Sequence, residues 1–115
     1  VTVNQKIRNA LQGLGLPISE DFYGGDEKEY ITHNLVTDEA SAYADDGPIS
    51  DTAHIQIHWF LPVEKNYLSG KKQIRRSLFE NGFTYPEVDG FVEPGNETRH
   101  IVFICDVEND EELED

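Results

Sequence analysis

Four histidines, one cysteine and twenty-three carboxylates are the side chains of this 115-residue sequence whose types could do chemistry. His33, His54, His58 and His100 all fall in segments that read as strands. His54 and His58 share one strand face, but four strand residues span about 13 Å, too far for one metal ion to hold both. A zinc site or a general acid/base built on His33, His58 or His100 would need partners from other strands, converging in one cleft. Cys105 closes the apolar run 101–105, where a thiol packs as a small hydrophobe, and no His/Asn signature surrounds it. There is no Gly-x-Ser-x-Gly elbow, and Gly24-Gly25 lacks the Lys-Ser/Thr that completes a phosphate loop. Asp45-Asp46-Gly47 sets two acids side by side, without the alternation and later bidentate Glu of a calcium loop. The sequence therefore predicts no catalytic residue, no metal site and no bound cofactor.

The elements that must carry these side chains can be read from periodicity. Val3, Ile7, Ala10, Leu11 and Leu14 recur at helical spacing, and Gly13, Gly15 and Pro17 stop the helix predicted over 3–12. Residues 18–22 read as a short extended segment and 29–37 as a strand with Ile31 and Leu35 on one face. Residues 38–50 are mostly Asp, Ser, Ala and Gly, which predicts a long mobile loop. The clearest strand covers 52–61, where Ala53, Ile55, Ile57, Trp59 and Leu61 alternate with His54, Gln56, His58 and Phe60. Asn66 is placed to cap a helix running to Asn81, with Gly82 at its stop and Tyr67, Leu68, Ile74, Leu78 and Phe79 toward its apolar side. An edge or bulged strand over 83–92 follows, then a turn, then a closing strand over 98–108, with Val92 opposite Val102. This order predicts an α+β fold: a mostly antiparallel sheet of four to five strands packed by two helices.

Length and composition narrow the classes. One domain over 1–108 is expected, followed by an acidic tail, 109–115, with too little apolar surface to offset the entropy of ordering. A single cysteine excludes a disulfide scaffold, and the longest apolar run is far below the ~20 residues of a membrane span. No signal-like pattern opens the sequence. The net charge of −14 opposes nonspecific adhesion to DNA or anionic lipid. That charge is segregated. Between Glu20 and Asp51 lie ten acids against Lys28 alone, residues 106–115 add seven acids and no base, and Lys65, Lys71, Lys72, Arg75 and Arg76 form an opposing basic block. Both signs on one small chain suit head-to-tail contact between identical subunits. Lys71, Lys72, Arg75 and Arg76 on one side and Asp45 and Asp46 on the other are the candidate interface residues.

Taken together, several features resemble the small tail-completion or tail-terminator proteins of long-tailed bacteriophages and prophages, over roughly residues 3–108. They are the short N-terminal helix, the strand start Glu29-Tyr30-Ile31-Thr32-His33-Asn34 (with Glu29 where the family tends to carry proline), the acidic stretch before a long strand, and the closing hairpin with an acidic end. The string Lys71-Lys72-Gln73-Ile74-Arg75-Arg76-Ser77-Leu78-Phe79, followed by Gly82-Phe83-Thr84-Tyr85-Pro86, is similar to the version in Gram-positive prophages. The resemblance implies a non-enzymatic virion protein, found in the bacterial cytoplasm before assembly. Six copies would form a ring at the head-proximal end of the tail, stopping the tube and meeting the head connector. DNA would be a partner only in passage through an acidic lumen, and no membrane is involved.

Two other classes compete. An acidic DNA mimic would occupy a nucleic-acid-binding protein, but the clustered cations argue against it. A small hydrolase would need the histidines to converge. From the tail composition, truncation after Glu108 is expected to leave the melting temperature nearly unchanged. A loss of several degrees in a thermal melt would show that the acidic segment docks on the fold.

Overall fold

The computed structural model describes residues 2–44, 47–95 and 97–109. Helix α1 (Val3–Leu11) runs into a 3-10 turn (Gln12–Leu14) and a short strand β1 (Ile18–Glu20). Two long strands follow, β2 (Tyr30–Ala44) and β3 (Gly47–Pro62), then α2 (Leu68–Glu80), β4 (Glu87–Val92) and β5 (Thr98–Asn109). The sheet order is β1-β2-β3-β5-β4. Only β1 and β2 are parallel, and the other pairs are antiparallel, so the expected α+β class holds.

Local chemistry sets the helix ends. Thr2 Oγ1 accepts from the Gln5 amide at 3.1 Å while Gln5 Oε1 accepts from the Thr2 amide at 2.8 Å, a reciprocal box that satisfies two free N–H groups of α1. At the start of α2, Asn66 Oδ1 accepts from the Leu68 amide at 2.9 Å, one residue ahead of the observed cap position, Tyr67. Gly82, at φ 97°, ends α2 in the left-handed region, and the Phe83 amide returns to the Leu78 carbonyl at 3.1 Å. Phe83 and Leu78 are both buried, so this cap also closes the core.

Alternation along β3 divides the molecule in two. Ala53, Ile55, Ile57, Trp59 and Leu61 face the helices with Ile101, Phe103, Cys105 and Val107 of β5, and Ile7, Ala10, Leu11, Ile74 and Leu78 cover them. Trp59 is 3% exposed. Its Nε1 donates to Glu29 Oε2 at 2.9 Å, and the other Glu29 oxygen pairs with Lys65. Gly70 of α2 lies directly over the indole, where an added Cβ would stand 2.5 Å from Cη2.

Four sequence expectations are corrected. Residues 38–44 and 47–50 are not a loop: β2 and β3 pair through them, in a register that reaches Ala44↔Gly47. Their small and polar side chains give no apolar alternation, but pairing satisfies backbone N–H and C=O groups whatever the side chains are. The Val92 partner is Arg99 and that of Val102 is Asp89, because Glu93 already closes the turn by donating to the Thr98 carbonyl. Residues 83–86 are not strand, and β4 starts at Glu87. Leu68 and Phe79 are 57% and 58% exposed, leaving Ile74 and Leu78 as the buried stripe of α2. The acidic tail, from Asp110 on, lies outside the described residues, as do Asp45 and Asp46.

Trp59→Ala should cost about 3–5 kcal/mol in urea unfolding. Gly70→Ala should also destabilise, by about 1–3 kcal/mol, although alanine is the better helix former. In the Trp59→Ala background the same Gly70→Ala change should become neutral or stabilising. Additive effects in that double-mutant cycle would show that the two positions do not press on each other.

Candidate functional site

Two places gather polar and charged side chains: the sheet face away from the helices, and a cavity between α2 and the β4–β5 edge. On the open face, even-numbered residues of β2, β3 and β5 meet. Tyr23, Tyr30, Phe60, His100 and Phe91 form a row across the sheet with centroid spacings of 4.5, 4.8, 4.2 and 4.9 Å. These spacings match the distance between neighbouring strands, so the rings stand on edge and their faces are spent on one another. The row stiffens the sheet and leaves no flat platform for a base or sugar.

His58 sits beside this row and answers the question left by the sequence about cross-strand partners. Its Nε2 lies 2.8 Å from Asn34 Oδ1 and its Nδ1 2.8 Å from His100 Nε2. With Asn34 oriented in this way, His58 Nε2–H donates to the amide oxygen. The neutral ring then offers Nδ1 as acceptor to His100 Nε2–H. His100 Nδ1 is left facing Glu93 Oε2 at 3.7 Å, within ion-pair range but beyond a hydrogen bond. Two protons on the facing nitrogens would clash, so the contact between the rings requires at least one neutral imidazole. Burial lowers both histidine pKa values; the neighbouring His100 lowers that of His58 further, while Glu93 works the other way on His100.

The remaining reactive side chains do not join them. His33 points to the helix side of β2, is 1% exposed, and has its pKa lowered by burial. His54 pairs with Asp106 at 2.6 Å. Burial pushes the Cys105 thiol up to about 12, which suppresses the thiolate. Among the described residues no group of three or more His, Cys, Asp or Glu is placed to hold a metal ion.

The second place is a cavity of about 320 Å³ lined by Tyr67, Lys71 and Arg75 of the α2 region, Val88, Asp89 and Gly90 of β4, and Arg99 and Ile101 of β5. A larger hollow of about 580 Å³, beside Lys28, Glu64 and Glu97, has mixed charge. In the smaller cavity the cations are held by aromatic rings. The Arg99 guanidinium lies 4.4 Å from the Tyr67 centroid and Lys71 Nζ 5.8 Å from the same ring. Arg75 lies 4.3 Å from the Tyr85 centroid and donates from Nε to the Pro86 carbonyl at 2.9 Å. The Arg99 Nε–H is buried without an acceptor. Among the described residues no carboxylate lies within ion-pair distance of Lys71, Arg75 or Arg99.

Of the four basic residues singled out in the sequence, this cavity takes Lys71 and Arg75, while Lys72 and Arg76 stay exposed on the outside of α2. Arg99 escaped that reading because it stands apart from the basic block. Its position was the available signal: Arg99 shares parity with Ile101 and Phe103, so it is a cation on the core-facing side of a strand.

No family model matches the chain, and no curated protein matches it. Among solved structures it is similar to a chain in the virion of a native gene transfer agent (GTA) particle, with a TM-score of 0.59 and 11% identity. The match covers 94% of this chain and 91% of that one, so the two share a fold essentially end to end.

The histidines predict a pH dependence. Unfolded, these rings take up protons near 6.5; folded, they do so at lower pH. Between those values the unfolded state binds more protons, so their contribution is full above about pH 6.5 and declines as pH falls. Relief of negative self-repulsion acts in the opposite direction, so the comparison must be with a variant. The urea midpoint of His58→Gln should fall less steeply than wild type between pH 7 and 5. Parallel curves would remove His58 from this account.

Proposed function

We propose that this chain is a structural protein of a phage-like particle that forms a ring at the head-proximal end of the tail, terminating the tube and meeting the head connector. The observation that carries the reading is the end-to-end fold shared with a chain of a GTA virion, in a chain whose charge is segregated by sequence segment. The principal extents are 54 × 26 × 25 Å. Arg99 lies near the start of β5, whereas the acidic run begins after β5 has paired Asn109 with Asp51, at the other end of the strand. Unlike patches at opposite ends make heterologous contacts, and such contacts close into a ring when their rotation permits.

A ring of this kind needs no catalytic group. The His58–His100–Asn34 arrangement serves the sheet, holding β2, β3 and β5 together beside the aromatic row. Exposed ion pairs contribute only about 0–1 kcal/mol each, so charge sets register and encounter rate while apolar contacts supply affinity. Exposed Leu68, Phe79 and Tyr85 lie on or just after the basic helix and are available for that role. Acidic surfaces lining a lumen would let DNA pass without adhering.

Sedimentation velocity at low and moderate salt tests the reading. The chain should form a closed oligomer, six copies being the expected number, and Arg75→Glu with Arg76→Glu should weaken it most at low salt. A thermal melt controls for the Arg75 contact to Pro86. A chain that stays monomeric at every salt and concentration, and does not bind isolated tail tubes, would refute the ring.

A further inference from the structure

The cavity between α2 and the β4–β5 edge is lined by three cations, Lys71, Arg75 and Arg99, against one carboxylate, Asp89, in a chain of net charge −14. Arg99 and Lys71 are oriented by the Tyr67 ring and Arg75 by Tyr85, with no described carboxylate paired to any of them. The buried Arg99 Nε–H still needs an acceptor. Arginine forks oriented in advance, with a donor unspent, are the chemistry that recognises a carboxylate.

We infer that this pocket binds the acidic run 110–115 of a second copy of this chain; the inference rests on the head-to-tail ring reading and names its contact. The chain's own run reaches the Val88 end of the pocket, opposite Phe103, but not the backbone level of Arg99. Arg99 is ten residues from Asn109 along β5, about 33 Å at strand rise. Six residues extend about 20–22 Å at most, so a run doubling straight back would stop roughly 10 Å short of Arg99. A neighbour stacked head to tail brings its acidic end to this pocket without that limit. The paired ends of β2 and β3 at Ala44 and Gly47 are the poorer occupant, because a paired two-stranded ribbon is wider than a single extended chain and this cavity holds only about 320 Å³. Five of residues 110–115 are acids, with Leu113 among them as the one large apolar side chain.

The test is fluorescence anisotropy with a labelled synthetic peptide, Glu-Asn-Asp-Glu-Glu-Leu-Glu-Asp, added to the full chain at 50 mM salt. The peptide should bind saturably. Arg99→Gln and Lys71→Gln should each weaken it about tenfold or more, as loss of a charge-assisted contact does, while Lys72→Gln on the outer face changes it less than twofold. A peptide with Gln and Asn in place of its acids, which leaves the protein untouched, should not bind. Absence of binding, equal losses from all three substitutions, or displacement by a single-stranded oligonucleotide at lower concentration than by unlabelled peptide would each overturn the inference. Sedimentation of the same samples separates the two readings. A closed oligomer that ignores the peptide overturns the pocket and leaves the ring, whereas a chain that captures the peptide, stays monomeric and does not bind isolated tail tubes supports the pocket and overturns the ring.

Discussion

The strict alternation along β3 is the constraint on which the rest of the molecule depends. This strand is paired on both sides, by β2 and by β5, so neither of its faces is free to rotate. Its odd residues are committed to the helices and its even residues to the open face. A shift of one residue would exchange Trp59 for His58 in the core and expose the whole apolar set. Trp59 fixes the register twice over, through its indole hydrogen bond to Glu29 and through the glycine that lets α2 come down on the ring. Once α2 is set by that contact, Lys71 and Arg75 must face the β4–β5 edge, where Arg99 waits. The cationic pocket is thus a consequence of how the core is packed.

The open face shows how a sheet can leave one side without a helix and still be tied together. Aromatic rings stacked across four strands cover apolar area at the same spacing as the backbone ladder. The histidine pair satisfies polar atoms between them. Such a layer is stiff because each inner ring, Tyr30, Phe60 and His100, is held by both neighbours, and its polar members are half-buried, where a hydrogen bond is stronger than in bulk water. It has the ingredients of an active site, two imidazoles and a carboxylate, but their contacts point at one another.

Much of this was legible beforehand in 52–61, where period two and β-branched residues on one side leave little choice, and in the Gly82 stop of α2. Less legible was anything determined by backbone alone. The sequence over 38–50 is mostly Asp, Ser, Ala and Gly without apolar alternation, so its residue types hold no record of the pairing. Exposure of Leu68 and Phe79 was invisible because helical spacing marks a stripe without giving its width. The pocket itself was not legible: Lys71 and Arg75 stand out in the sequence as part of a basic block, while Arg99 lies in a separate segment that only the fold brings to them. Segregation of charge by segment was readable, but that Arg99 and Asn109 stand at opposite ends of one strand follows only from the pairing of β5.

β2 carries one more consequence. Its pairing with β1 ends at His33, so from Asn34 onward its outer edge has no strand beside it among the described residues. A long open edge of this kind is the usual template for runaway sheet growth and amyloid. Here it is broken by register shifts between Leu35 and Thr37, Ala40 and Ala42, and Ala42 and Tyr43, and it carries Asp38 and Glu39. Irregular pairing and like charge both raise the barrier to a second edge docking in register. Copies of this chain at high local concentration are therefore steered away from cross-β aggregation.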